Sequence, residues 1–327
     1  MKALQLTRPS ASDPPELRTT DLPTPQLKPG YALVQIHYAS IQPSDRLNAQ
    51  GGFPDTTFPR IIGRDYSGTV IDIMSDNVDA KSWVGKHVYG TSGSNLGFDM
   101  DGTHAQYCLI PENALVEKPA QLTSIQAASV GVLFTTAMIC LRRAQVKADD
   151  VALVLGSSGA VGSAAVQMAK AMGCKKVLTA ARRGDPKPDV SLASNATIEE
   201  TISALTDGKG VDVVIDTVGD LTLMATVVDQ LALQGRYTWI TAPRGNASKE
   251  LAFDVFKAYR KEISLVGCNS VARTLEQTAE YLRSMNGWIE AGLLKAPNEA
   301  QFEVVKIEDA IVSGYGKPTQ KSVIDMS

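Results

Sequence analysis

A chain of 327 residues with 44% hydrophobic and 20% charged side chains has room for about two domains, each with a core of its own. The 32 Lys and Arg against 35 Asp and Glu leave a formal charge of -3, and no basic block stands out, which argues against a nucleic-acid partner. The N-terminal MKALQLTRPSASDPPEL lacks the apolar core and cleavage site of a signal peptide, and no unbroken apolar run approaches the roughly 20 residues of a membrane helix. The cysteines Cys108, Cys140, Cys174 and Cys268 form no CxxC pair. A soluble, cytoplasmic globular protein without a membrane partner is expected.

Over about the first 120 residues, short apolar and β-branched segments alternate with Gly, Pro, Asp and Ser clusters, which predicts strands and turns rather than helices. Residues 31–41 (YALVQIHYASI), 68–73 (GTVIDI) and 105–110 (AQYCLI) are the clearest strands, spaced as in a small barrel or sandwich. The glycine-rich stretch 90–102 reads as a surface loop. From Ser124 to Ala148 the pattern is helical, and strand–helix alternation then begins. Residues 151–155 (VALVL) form the continuous apolar run of a strand buried on both faces. The next segment has apolar or small residues at 161, 164, 165, 168, 169 and 172, the stripe of a helix. Further strands are predicted at 176–181, 211–216, 236–241 and 263–267, with helices at 198–205 and 221–233. This is the layout of a doubly wound α/β domain. A long helix at 274–294, a short one at 307–312 and a strand at 322–326 complete the reading.

Between VALVL and its helix lies Gly156-Ser157-Ser158-Gly159-Ala160-Val161-Gly162. Glycines at this spacing allow a tight turn, close approach of backbone to a ligand and close helix–strand packing. The helix start then offers free N–H groups and a positive dipole end to a diphosphate. A dinucleotide site is expected, and the end of the next strand bears on which one. A site preferring NAD places a carboxylate there for the ribose 2′-hydroxyl. Here no acidic residue falls between Ser163 and Arg183, and the strand runs into Arg182-Arg183. Guanidinium groups suit the 2′-phosphate of NADPH, the expected cofactor; plain solvated charges are the alternative.

Taken in order, several motifs carry a likeness over essentially the whole chain. They are Gln42-Pro43-Ser44-Asp45, Gly63-Arg64-Asp65-Tyr66-Ser67-Gly68-Thr69-Val70, residues 101–107 (DGTHAQY), the glycine loop, residues 211–219 (VDVVIDTVG) and residues 316–323 (GKPTQKSV). In this order and spacing the chain resembles the medium-chain dehydrogenase/reductase superfamily, specifically its zinc-free quinone oxidoreductase and enoyl reductase branch. The resemblance implies an α/β protein in which a GroES-like β-barrel catalytic domain, residues 1–124 completed by 270–327, accompanies a doubly wound Rossmann NADPH-binding domain, residues 125–269. The active site would lie in the cleft between them. It also implies that the metal ligands of zinc-dependent members are replaced: Gln42 stands at the first cysteine, Gly63-Arg64-Asp65 at the Gly-His-Glu motif, and Val130 or Gly131 at the last ligand. With an arginine in place of an imidazole, no metal is expected. His37, His87 and His104 read as strand or loop residues, His104 alone being kept as a site candidate.

Without zinc, hydride transfer from NADPH to a quinone or to the β-carbon of an α,β-unsaturated carbonyl needs donors for the developing oxyanion and a proton source. Ser44 is the first candidate for the proton, with Tyr66 and His104 behind it; a turn residue, a packing residue and a loop contact are their bland alternatives. Relatives often carry a tyrosine where this chain has Leu47 and Phe53, so these two, with Gln42 and Arg64, are the expected substrate-side positions. Arg64-Asp65 also reads as a structural ion pair. Thr136, Val218 and Asn269 are expected to border the cofactor, Asn269 alternatively closing a turn. The competing functions are a carbonyl/alcohol dehydrogenase or tailoring enzyme on a specialised scaffold, and a non-catalytic nucleotide-binding protein of the crystallin type. A small-molecule substrate is the expected partner, with a possible homodimer pairing the Rossmann edge strand at 263–267.

Overall fold

The computed structural model describes residues 1–184, 186–193, 197–316 and 320–327. Of the GKPTQKSV motif, Lys317, Pro318 and Thr319 therefore lie outside the described residues. The chain divides into two units, Met1–Val132 with Val271–Ser327, and Leu133–Ser270.

In the first unit, β1 (Lys2–Thr7), β2 (Glu16–Asp21), β3 (Tyr31–Ile41), α1 (Pro43–Ala49), β4 (Arg60–Ile61), β5 (Tyr66–Met74), β6 (His87–Gly90) and β7 (Tyr107–Pro111) lead into α2 (Ser124–Arg143), within which the unit ends. The second unit comprises β8 (Val151–Leu155), α3 (Ala160–Ala171), β9 (Lys176–Ala181), β10 (Val190–Ser191), α4 (Ile198–Leu205), β11 (Val211–Asp216), α5 (Leu221–Val228), β12 (Leu231–Trp239), α6 (Val255–Arg260) and β13 (Ser264–Gly267). The chain then returns to the first unit with α7 (Leu275–Glu290), β14 (Phe302–Lys306) and β15 (Lys321–Asp325).

The first unit is built from sheets whose strands alternate their faces. In β3, Ala32, Val34 and Ile36 are buried while Gln35 between them is exposed, as period-two patterning requires. Among the described residues one sheet runs β14-β15-β3-β5-β6, with β7 also paired to β3, and a smaller one runs β2-β1-β4. The short β4 leads straight into Gly63-Arg64-Asp65. There, the N–H groups of Gly102, Thr103 and His104 donate to the carbonyls of Ile61, Gly63 and Ile62 (2.7–3.1 Å). In the second unit the strands are all parallel in the order β10-β9-β8-β11-β12-β13. That is the doubly wound order, in which chain direction reverses between β8 and β11. Its core is a cluster of Leu153, Leu155, Leu178, Val214, Met224 and Tyr237 with their neighbours. Helix α2 is long and apolar enough to cross a membrane by length and composition, and most of it is buried in the protein.

Several expectations are corrected. Residues 90–102 are not a surface loop: Leu96 is fully buried and Phe98 nearly so. Glycine permits this by letting backbone lie on backbone; a Cβ at Gly93 would sit 2.0 Å from the Arg273 carbonyl oxygen. Pro43 opens a helix, α1, in a stretch read as strands and turns. The helix expected at 221–233 stops at Val228, and Leu231 already pairs as strand with Val211. The helix expected at 307–312 is a turn followed by a π-helical segment, Ala310–Gly316, and β14 was not foreseen.

Two glycines separate packing from propensity. Gly93→Ala should lower stability by about 1–3 kcal/mol, because backbone must move. Gly287→Ala, inside α7 with nothing within 4 Å of the new Cβ, should raise it by roughly 0.5–1 kcal/mol. Urea unfolding of both variants checks the pair.

Candidate active site

The nucleotide end is built within the second unit. Gly156 ends β8 with φ +77°, and a Cβ there would lie 2.4 Å from the Thr217 hydroxyl oxygen. A Cβ on Gly162 would meet the Gly156 carbonyl at 2.2 Å, so α3 can start this close to the turn only with glycine. Gly159 is the N-cap of α3 and has no side chain to occupy the first-turn N–H groups, which leaves them for a ligand. Ser157 ties the turn to β9 through its N–H and hydroxyl, both donating to the Ala180 carbonyl (3.1 and 3.2 Å). Ser158 is exposed, while Ala160 and Val161 open the helix half-buried. Arg182 and Arg183 follow β9 directly and are exposed.

The neighbouring loop after β11 is held by a residue that motif reading did not single out. Buried Asp216 accepts from the Val218 and Gly219 N–H groups (2.7 and 3.1 Å) and from the Tyr237 hydroxyl (2.9 Å). Burial raises the Asp216 carboxyl above its ordinary range, against the pull of those donors. Thr136, buried on α2, has a hydroxyl without a hydrogen-bond partner among the described residues. Asn269 is exposed just beyond β13. The turn, the open helix start and the Thr136 hydroxyl fit a dinucleotide.

The other expected residues cluster within the first unit around two adjacent carboxylates. Asp45 accepts the Gln42 N–H (2.8 Å), closing the first turn of α1, and takes Arg64 Nε at 3.4 Å. Arg64 Nη2 donates to the Ser44 hydroxyl oxygen, which leaves the Ser44 O–H free to donate elsewhere. Asp65, without solvent exposure, accepts Gln42 Nε2 (2.9 Å) and the Val132 N–H (3.0 and 3.1 Å to its two oxygens). Gln42 Nε2 also donates to the Ser40 hydroxyl (2.9 Å). Phe53 meets Phe98 edge to face at 5.2 Å, and Phe98 lies 5.7 Å beneath the Arg64 guanidinium. Leu47 is half-buried on α1.

Two candidates sit differently from expectation. His104, in the loop before β7, is wholly buried: Nε2 donates to the Ser40 carbonyl (3.1 Å) and Nδ1 accepts the Tyr315 hydroxyl (2.8 Å). Burial lowers its ring basicity, so it is neutral and engaged at both nitrogens. Gly63, at φ +98°, makes room for it, since a Cβ would fall 2.2 Å from the ring. Tyr66 is buried beside Gly90, and its hydroxyl has no hydrogen-bond partner among the described residues. Burial raises its ionisation far above the ordinary phenol range. Tyr315, from the π-helical segment, had no sequence signal.

Among the described residues, no three or more His, Cys, Asp or Glu side chains gather as a metal site requires. Gln42 and Asp65 bond to each other, and Arg64 brings a positive charge. This donor set does not fit a catalytic zinc.

Comparison with known proteins gives two family models: alcohol dehydrogenase GroES-like domain over residues 28–120, and zinc-binding dehydrogenase over residues 160–286. A zinc-type alcohol dehydrogenase-like protein of Schizosaccharomyces pombe is 42% identical, covering 100% of this chain and 98% of that protein. Human quinone oxidoreductase is 26% identical over 91% of this chain and 90% of its own. A crystal structure of an alcohol dehydrogenase superfamily protein from Novosphingobium aromaticivorans superposes with TM-score 0.80 at 26% identity, covering 100% of both chains.

The buried Asp65 carboxyl titrates at about 6 rather than 3.8, mainly because burial disfavours its charge. The folded chain thus holds this proton more tightly than the unfolded one. Stability should fall as pH rises from about 4 to 6, by about 3 kcal/mol, and this contribution should be flat above. The difference in urea midpoint between wild type and Asp65→Asn across that window measures it.

Proposed function

The chain belongs to the medium-chain dehydrogenase/reductase superfamily and is an oxidoreductase; on that premise we propose that it is an NADPH-dependent, zinc-independent reductase of quinones or α,β-unsaturated carbonyls. The observation that carries the reading is the Gly156–Gly162 turn of the second unit with its uncapped helix; the first unit, considered by itself, holds a guanidinium where metal ligands would be needed. When bound, the nicotinamide supplies the hydride.

The chain's own residues do the rest. Backbone N–H groups at the start of α3 hold the diphosphate, and Arg182 with Arg183 favour the 2′-phosphate. Asp216 shapes the Val218 loop, and the Thr136 hydroxyl offers a hydrogen bond to the cofactor, with Asn269 bordering it. Ser44 is the proton donor best supported by its free O–H, since His104 is engaged at both nitrogens and serves to position Tyr315. Tyr66 stays protonated. Gln42, Leu47, Phe53 and Arg64 form the substrate side. The quinone class is supported by the relation to human quinone oxidoreductase.

Purified protein should oxidise NADPH steadily with a quinone or an enone, unaffected by chelators. Replacing Arg182 and Arg183 together by Ala should weaken NADPH binding roughly tenfold or more while leaving NADH binding nearly unchanged. Nicotinamide fluorescence titration reads this; equal binding of the two cofactors by wild type would refute the NADPH assignment.

A homodimer through the β13 edge is also proposed. Among the described residues β13 pairs only with β12, and Val255, Phe256 and Tyr259 of nearby α6 are 69%, 66% and 60% exposed. Sedimentation should show a dimer that Phe256→Asp weakens; a monomeric wild type would discard it.

A further inference from the structure

Arg64 is among the largest side chains in the protein with almost no exposure, about 1% of its surface being accessible. A buried guanidinium is tolerated when its N–H groups are met, ideally by a bidentate carboxylate. Here they are met unevenly. Nε reaches Asp45 Oδ1 at a long 3.4 Å, and Nη2 donates to Ser44. Nη1 is buried and has no hydrogen-bond partner among the described residues.

Neither neighbouring carboxylate is turned to fill that end. The second oxygen of Asp45 takes the Gln42 N–H, and both oxygens of Asp65 are taken by Gln42 and Val132. Phe98 covers the face of the guanidinium and offers it no acceptor. Arg46, two residues along α1 from Ser44, likewise spends Nε on the Gly314 carbonyl (3.0 Å) and leaves Nη2 buried without a partner among the described residues. An ion pair serving structure alone would close on itself; this one is clamped at one end and leaves a buried donor unmatched at the other.

We propose that Arg64 is a catalytic residue whose Nη1 binds the carbonyl oxygen of the substrate, a fixed cation that replaces a metal ion as electrophile. The inference deepens the reductase reading and rests on it for the identity of the oxygen. Ser44 and Asp45 hold the guanidinium in register, so that the negative charge which reduction places on the oxygen meets a pre-oriented N–H and a permanent positive charge. The Ser44 hydroxyl, bonded to the same guanidinium, stands next to that oxygen to deliver a proton. Substrates are thereby restricted to those whose reduction passes charge to an oxygen: quinones and conjugated ketones or aldehydes, not isolated alkenes.

The test uses full-length protein and 4-nitrophenol, whose colour reports its ionisation. Wild type should bind it and lower its pKa by about one, a tenfold stabilisation of the phenolate. Because Arg64→Met alone strands Asp45 and can unfold the chain, the informative variant is Arg64→Met with Asp45→Asn, its fold verified by circular dichroism and by unchanged NADPH binding. In it the phenolate stabilisation should vanish, and kcat for a quinone or enone should fall about 100- to 1,000-fold with KM little changed. Arg64→Lys should keep part of the phenolate shift. No shift in wild type, or a shift and kcat retained in the double variant, would overturn the proposal. A wild type that shifts the phenol but reduces no quinone or enone would refute the reductase reading and keep Arg64 as an oxyanion site.

Discussion

A carboxylate that water cannot reach has to be met by protein on every side, and the first unit is arranged around that demand at Asp65. Gln42 comes to it from the start of α1, and the Val132 N–H from the middle of α2. Gly63, two residues before Asp65, takes a positive φ of +98°, and the N–H groups of residues 102–104 hold that turn. Burial works against the charge, the donors work for it, and the balance moves the titration of the carboxyl up to about 6, so that it is still mostly an anion at neutral pH. The helix that carries Ser44 starts from the same Gln42 that meets Asp65, and Arg64 is the residue before Asp65. Asp45, in the first turn of α1 after Gln42, completes the same polar layer by accepting the Gln42 N–H.

What the sequence could reveal depended on whether the signal was local. The glycine turn was legible because its neighbours, an apolar run and a small-residue stripe, are adjacent in the chain, and the parallel strands declared themselves by continuous burial. The clustering of Gln42, Ser44 and Arg64 was reachable only through family likeness. The His104–Tyr315 contact spans 211 residues and had no signal at all. Residues 90–102 misled because glycine content reads as exposure, whereas glycine also allows backbone to be buried against backbone. The overlong helix at 221–233 has the same cause in another form. Leu221, Met224, Val227, Val228 and Leu231 keep a helical spacing, yet Leu231 starts a strand whose buried face satisfies the pattern equally well.

Exchanging an imidazole for a guanidinium changes what kind of chemistry the first unit can host. An imidazole can lose its proton and coordinate a cation; a guanidinium keeps its charge throughout the physiological range and can only donate. The polar layer therefore carries its positive charge in the covalent chain. It can be neither chelated away nor replaced by a competing metal, and its strength is set by how tightly Ser44 and Asp45 hold the group.

The order in which the chain visits its units has a consequence for how the protein comes into being. The strand β15 lies between β14 and β3, so the sheet that carries Ser44 and Arg64 on its connections has a gap until residues 321–325 exist. The second unit, by contrast, is one uninterrupted stretch. During synthesis the nucleotide-binding part can be complete while residues 38–41 of β3 still show an unpaired edge, and that edge is a template for pairing with other chains. Losing residues 321–327 would leave the nucleotide turn intact, yet open the other unit along β3.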